Sequence, residues 1–313
     1  MEEIKVKKKK PKIDKGDLIF YCIFMAWPVL QFCVYYIGVN INSIIMSFQY
    51  NTIVGEGANA TIITDPFSFE QYGKVFEWLV SDEFKGLISV SLSSFFVTTL
   101  IGLPLGLLFA FYIFKKLPFW SGFRVILFLP SILSGVVVAA MFRYFLVTCV
   151  PNLFPSIGNL LEAKRELHFP VLMFYNIWVG FGTSVLMYSN KMSGIADEII
   201  ESAHLDGATG MKEFWYIVLP LTYSTISVFM ITGVAGICIN QYGAYDMFAG
   251  RAVSNIQSIG YWFFIKVASK FKNVTDSAEL PYYSAIGVVL TLVTVPVALG
   301  IRWALEHFGP TEE

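Results

Sequence analysis

The sequence predicts an all-α integral membrane protein with six transmembrane helices, and three observations carry that reading. Apolar residues fall in six long blocks, about 18–47, 87–114, 123–147, 169–188, 219–242 and 282–305. Each reaches or exceeds the roughly 20 residues that a helix needs to cross the hydrocarbon core of a bilayer. The bulk composition agrees: 56% of the 313 residues are hydrophobic and only 14% are charged, against about 25% charged in soluble domains. Short strands of alternating polarity, the mark of a membrane barrel, are absent, so the backbone in lipid has to be satisfied within helices.

The elements follow in order. Residues 1–16 form a basic tail with seven lysines, Lys5, Lys7, Lys8, Lys9, Lys10, Lys12 and Lys15. The block after it is too long for a signal-peptide core and lacks a small-x-small cleavage site, so it reads as a retained first span. Residues 48–86 are polar and mixed. Lys115, Lys116, Pro118 and Gly122 make a short link between spans two and three. A polar segment with Asn152, Glu162, Lys164, Arg165 and Glu166 precedes span four, and a charged loop, 190–220, precedes span five. Residues 245–280 are polar again, span six follows, and 307–313 form a short tail. Residues 17–306 thus make one membrane domain. Six spans put both termini on one side. The lysine-rich tail, with Lys115, Lys116, Arg124, Lys191, Lys212 and Arg302, predicts that this side is the cytoplasm. The tail lysines also suit contact with anionic lipid headgroups.

Several function classes are excluded or disfavoured. The net charge of −1 gives no pull toward nucleic acid. Cys22, Cys33 and Cys238 sit in apolar blocks and Cys149 near a helix end, with no CxxC or Cys/His metal spacing. GxxxxGK[ST], HExxH and GxSxG are all missing, and the three histidines, His168, His204 and His307, have no close metal partner in sequence. The spans carry few acidic residues or histidines, which proton-coupled carriers use. Energy for any transport would therefore come from another chain.

The 190–220 loop is the most informative segment. Ala196 to Leu205 is a good helix former, and Ile195, Ile199 and Ala203 recur every four residues on one face. Asp197 and Glu198 suit a helix start. Gly207 and Gly210 break that helix, and Thr209 is placed to cap a second short helix holding Lys212, Glu213 and Phe214. Pro220 falls near the start of span five, where proline is tolerated. A helix–turn–helix with a tight glycine bend is a rigid shape suited to a groove on a partner.

The spacing Glu201-Ser202-Ala203, three residues, Gly207, nine residues, Ile217-x-Leu219-Pro220 resembles the EAA loop of binding-protein-dependent ABC importer permeases. Asp206-Gly207-Ala208 and Phe214 bring it nearer the carbohydrate-uptake branch, the maltose- and lactose-type permeases. Arg124-x-x-x-Phe128-Leu129-Pro130, Phe69-x-x-Tyr72 and Tyr283-x-Ala285 extend the likeness over about residues 18–306. Three departures stand out. Ser202 replaces the middle alanine, Ala196 stands where the family has proline, and Asp246–Arg251 replaces a Gly-Gly-Pro stretch. The resemblance implies the six-helix importer permease (MetI-like) fold in a prokaryotic plasma membrane. It implies a second permease subunit, ABC ATPase subunits and an extracytoplasmic solute-binding protein as partners. It implies no catalysis and no cofactor on this chain, with ATP and Mg held by the ATPase. Carried over residue by residue, Glu201 pairs with a basic group on the ATPase, Ala203 keeps the docked face thin, and Asp206 and Gly207 form the close turn. The solute is expected to be a sugar or oligosaccharide.

Polar residues in or beside the spans are candidates for the solute path, because they are costly in lipid. Asn176 and Trp178 lie in span four, and Asn240, Gln241, Tyr242 and Tyr245 cluster at the outer end of span five. Aromatic rings stack on the apolar face of a sugar, and amides bond its hydroxyls. Ser89, Ser91, Ser93 and Ser94 in span two read rather as helix-packing residues. Two other readings stay open: an ABC permease for a non-sugar solute, and a secondary carrier that works without ATP.

Overall fold

The structure is a computed structural model describing residues 15–55, 61–156, 158–161, 165–269 and 277–310. The tail lysines before Lys15, and Glu162, Lys164, Lys270 and Lys272, lie outside the described residues.

The first helix, α1 (Leu18–Ser47), is long enough to span a membrane, and its apolar length is fully exposed on the isolated chain. Only its last two turns run beside the body, where Ser47 is buried and shares a 2.7 Å hydrogen bond with the Tyr72 hydroxyl. A small antiparallel hairpin follows, β1 (Tyr50–Val54) and β2 (Thr61–Asp65), with Thr52 opposite Ile63. It leads through a Phe48, Phe67 and Phe69 cluster into the amphipathic helix α2 (Glu70–Val80).

Helix α3 (Asp82–Phe114) starts earlier than the expected residue 87. The Ser81 side chain accepts a hydrogen bond from the Phe84 N–H, and Asp82 and Glu83 occupy the first turn. Both features stabilise a helix N-terminus. The third span, expected as one helix over 123–147, is instead two, α4 (Trp120–Ile132) and α5 (Gly135–Leu153). Leu133 and Ser134 are extended between them, with ψ of 154° and 130°. Pro130 lacks the N–H that a continuing helix needs, and the chain breaks within a turn of it.

Helix α6 (Arg165–Met192) packs against both α3 and α4. Gly182 is required at the α6–α4 crossing, because a Cβ there would lie 2.0 Å from the Leu127 carbonyl oxygen. Next come α7 (Asp197–Leu205), α8 (Met211–Leu221) and α9 (Tyr223–Gly236). Helices α8 and α9 meet at 65°. The expected fifth span, 219–242, is therefore helical only in part. After Gly236 the chain turns, and Tyr242 and Gly243 adopt left-handed φ of 53° and 66°. Helix α10 (Ile259–Ser269) crosses this turn so closely that a Cβ on Gly260 would be 2.2 Å from the Ile239 carbonyl. Helix α11 (Leu280–Phe308) completes the bundle. By length and composition five helices among the described residues are able to cross a membrane, or six if the bent α8–α9 pair is one span.

Three helices carry π-turns just before a proline: Thr98–Gly102 before Pro104, Phe145–Cys149 before Pro151, and Phe214–Val218 before Pro220. A proline clashes with the carbonyl four residues back. In each case that carbonyl lies inside the widened turn, which makes room for the ring. Helix packing then forms three apolar clusters. The first joins α5, α6 and the 242–261 segment around Tyr175 and Met247. The second joins α2, α10 and α11 around Trp78, Trp262 and Ile286. The third joins the ends of α3 and α6 to Phe214 and Val218.

Candidate functional site

The 190–220 connection sits on the third cluster. Helix α7 ends in two hydrogen bonds, Gly207 N–H to the His204 carbonyl at 3.0 Å and Ala208 N–H to the Ala203 carbonyl at 2.9 Å. Together they form a Schellman motif, with Gly207 at the left-handed position, φ +78°. A residue with a Cβ is strained there, which gives a physical reason for glycine at this point of the spacing. Gly210, not Thr209, is the N-cap of α8. Its φ of 60° and ψ of −120° lie in a region that only glycine adopts without strain.

Of the four loop residues singled out in the sequence, Glu201, Asp206 and Gly207 are exposed, and Ala203 is buried at 5% exposure. The small side chain of Ala203 therefore faces the chain's own body. It does not thin a free surface. Ile195 is half-buried while Ile199 is exposed, and Leu205 is among the most exposed apolar residues. The outer surface of α7 and its C-cap thus offers Glu201, Leu205 and Asp206, acidic and apolar groups mixed, on a helix anchored at its inner side.

Glu213 stands in the first turn of α8, at the start of the bent pair, and its side chain is fully buried. Lys115 Nζ contacts both of its carboxylate oxygens, at 2.9 and 3.1 Å, and His204 Nε2 lies 2.9 Å from Oε2. Burial pushes the Glu213 carboxyl up, but hydrogen bonds and charge from His204 and Lys115 outweigh it and hold the carboxyl below its ordinary value. Nothing local in the sequence marks this cluster. Its members are 98 and 9 residues apart, and only folding brings them together.

The six path candidates do not converge. Asn176 lines a cavity of about 200 Å³ half-way along α3 and α6, with Thr98, Thr99, Ser184, Tyr188 and Gly233. Its Nδ2 donates to the Leu172 and Tyr242 carbonyls, both at 2.8 Å, so the side chain also pins the turn after α9. Trp178 lines a separate apolar cavity of about 450 Å³ at the α4–α5 break, beside Phe142 and Leu129. Gln241 lines a third cavity of about 760 Å³ between α10 and α11. Asn240 is exposed, the Tyr242 ring is buried, and Tyr245 packs edge-on against Phe264 at 4.7 Å. The turn after Gly236 scatters residues that a continuous helix would have kept on neighbouring turns. The mid-depth cavity instead recruits Thr98 and Thr99, a polar pair in an otherwise apolar run just before Gly102-x-Pro104. Ser91, by contrast, is a structural partner, accepting from the Ile259 N–H at 2.9 Å. Among the described residues no three His, Cys, Asp or Glu side chains gather in a way that would hold a metal.

Comparison with known proteins now adds to this geometry. No family model matches the chain. A probable ABC transporter permease protein of Pyrococcus horikoshii is 30% identical over 213 residues, 63% of this chain and 68% of that one. This chain belongs to the ABC transporter permease family. The arabinooligosaccharides transport system permease protein AraP of Bacillus subtilis is 26% identical over 294 residues, covering 88% of this chain and 85% of AraP. Among solved structures, a chain of a bacterial ABC transporter involved in the import of the acidic polysaccharide alginate superposes with a TM-score of 0.71. That match covers 94% of this chain and 97% of the other at 19% identity, and it establishes the shared fold. For an ABC permease of this fold, the Schellman-closed α7 and the buried base beneath it are the features that distinguish the 190–220 connection from an ordinary linker.

Proposed function

We propose that this ABC permease is the membrane-spanning subunit of an importer for a sugar or oligosaccharide, and that α7 is the helix that docks on its ATPase. The observation that carries the reading is α7 itself. A short helix is held at its inner face, closed by Gly207, and presents Glu201, Asp206 and Leu205 outward. Such a projection fits a cleft on a nucleotide-binding subunit, with Glu201 set against a basic group there. The similarity to AraP over most of both chains supports a carbohydrate solute.

In this reading both termini and the 190–220 connection lie in the cytoplasm of a prokaryotic cell, in keeping with the lysines on that side. The 17–306 segment is the permease domain and pairs with a second permease subunit. A solute-binding protein delivers its cargo to the hairpin side. The mid-depth cavity with Asn176, Thr98, Thr99 and Ser184 is the section of the path this chain contributes, offering hydroxyls and an amide to a polyhydroxylated solute. Tyr242, whose carbonyl accepts from Asn176, adjoins it, while Trp178, Asn240, Gln241 and Tyr245 lie apart from it.

Two measurements test the proposal. A tagged chain, extracted from its native host in mild detergent, should bring down an ATPase, a second permease and a solute-binding protein that mass spectrometry identifies. Recovery of the folded chain alone, even after cross-linking, would instead favour a carrier that works without ATP. In the reconstituted transporter Glu201→Ala should weaken solute-stimulated ATP hydrolysis and Gly207→Leu should abolish it. Wild-type transport by both variants would end the docking model.

A further inference from the structure

Docking through the outer surface of α7 leaves Glu213 without a task. Yet among the described residues it is the one Asp, Glu, Lys or Arg that is buried. A buried carboxylate is costly unless charged donors face it. Here the donors come from two other elements. Lys115 is the first residue beyond α3, and His204 lies in the last turn of α7. His204 Nε2 lies at hydrogen-bond distance from the carboxylate, 2.9 Å from Oε2. Glu213 itself stands in the first turn of α8, directly before Phe214 and Val218, which are packed into the third cluster.

From this we infer that Glu213 is a positioning residue that makes the docking helix α7 and the end of α3 move as one body. The reasoning is mechanical. Displacing α7 away from α8 pulls His204 off the carboxylate, and displacing α3 pulls Lys115 off it. Either movement alone leaves a buried charge short of a partner, whereas joint movement keeps both contacts. Helix α3 also carries Thr98 and Thr99, which wall the mid-depth cavity. A push received by α7 is therefore delivered through Glu213 and Lys115 to the helix that shapes the cavity. This inference rests on the docking role proposed for α7, but the link itself is a property of this chain alone.

The experiment separates the two. The four free cysteines, Cys22, Cys33, Cys149 and Cys238, are first replaced in the full-length chain. Spin labels are then placed by Leu205→Cys on α7 and Leu117→Cys beyond α3, both exposed positions. Pulsed electron resonance in lipid nanodiscs should give a single narrow distance with Glu213 present. The narrow peak should be lost in Glu213→Gln and kept in Glu213→Asp, which preserves the carboxylate that both His204 and Lys115 face. If Glu213→Gln does not fold, His204→Ala takes its place, since that side chain is 40% exposed and the Lys115 pair to Glu213 is kept. A narrow, unchanged peak in whichever variant folds would overturn the link, whatever partners the chain proves to have. In the assembled transporter, Glu213→Gln should lower solute moved per ATP hydrolysed by about tenfold, within the usual range for coupling between sites. Glu213→Asp should restore most of it. Equal coupling ratios in wild type and Glu213→Gln would refute the transmission step even if the distance result held.

Discussion

Two carboxylates stitch segments together at opposite ends of α3. Glu83, in its first turn, accepts hydrogen bonds from two indoles, Trp78 Nε1 at 3.1 Å and Trp262 Nε1 at 2.9 Å. The two rings stack with centroids 4.9 Å apart. Glu213, beyond the other end, is held by Lys115 and His204. Glu83 keeps contact with solvent, so neutral donors suffice and water supplies the rest of its solvation. Glu213 has no such contact, and the Lys115 ammonium and the His204 imidazole replace the water. The clamp at the hairpin end is thus built from ring packing with a carboxylate at its rim. The clamp at the loop end is built from charge and depends on all its members being present.

That contrast predicts unequal responses to substitution. Lys115→Met should be the most damaging, because it strips a buried carboxylate of its principal cation. A loss of about 3 kcal/mol is expected, read from thermal unfolding of the purified chain. Gly207→Ala comes next, forcing a Cβ into the left-handed end of α7. Its cost should be roughly 1–2 kcal/mol, visible as faster proteolysis or hydrogen exchange confined to 197–210. Glu83→Gln should cost only about 1 kcal/mol, because the amide oxygen still accepts from one indole and the site is partly hydrated. The near-ultraviolet dichroism of the stacked tryptophans should survive it. If Glu83→Gln proves as harmful as Lys115→Met, the distinction between the two clamps fails.

The smallest effect is a pH dependence that sharpens the same comparison. The folded-state pKa of Glu213 is held below its ordinary 4.5. Its ionised pairing therefore stabilises the fold fully above the ordinary carboxylate range, and that stabilisation is lost as pH falls through the lowered folded value. The stability difference between wild type and Glu213→Gln should be constant near neutrality and shrink on acidification. A difference that grows as pH falls would contradict the assignment of the charge.

Much of the architecture was legible in the sequence because its physics is local. Long apolar blocks need no tertiary information to be read as helices in lipid, and the block at 18–47 is a continuous helix over those residues. The Glu201 to Pro220 spacing likewise located α7 and its glycine turn, since helix capping depends on residues within one or two turns. Elements that depend on neighbours were read less well. The break at Leu133–Ser134 accompanies Pro130, but the same proline in another setting only kinks a helix. The early end of α9 at Gly236 involves the close crossing of α10 at Gly260, a contact between segments far apart in sequence.

By itself, then, the sequence determined a multi-pass helical membrane protein with a glycine-closed helix in its fourth connection. These follow from hydropathy over 20 residues and from capping over four, quantities that any short stretch carries. Only the tertiary structure decided which polar residues share a cavity, that Ala203 faces inward, and that Lys115, His204 and Glu213 meet. The reason is that burial and charge pairing are properties of the space between helices, and no single helix encodes that space.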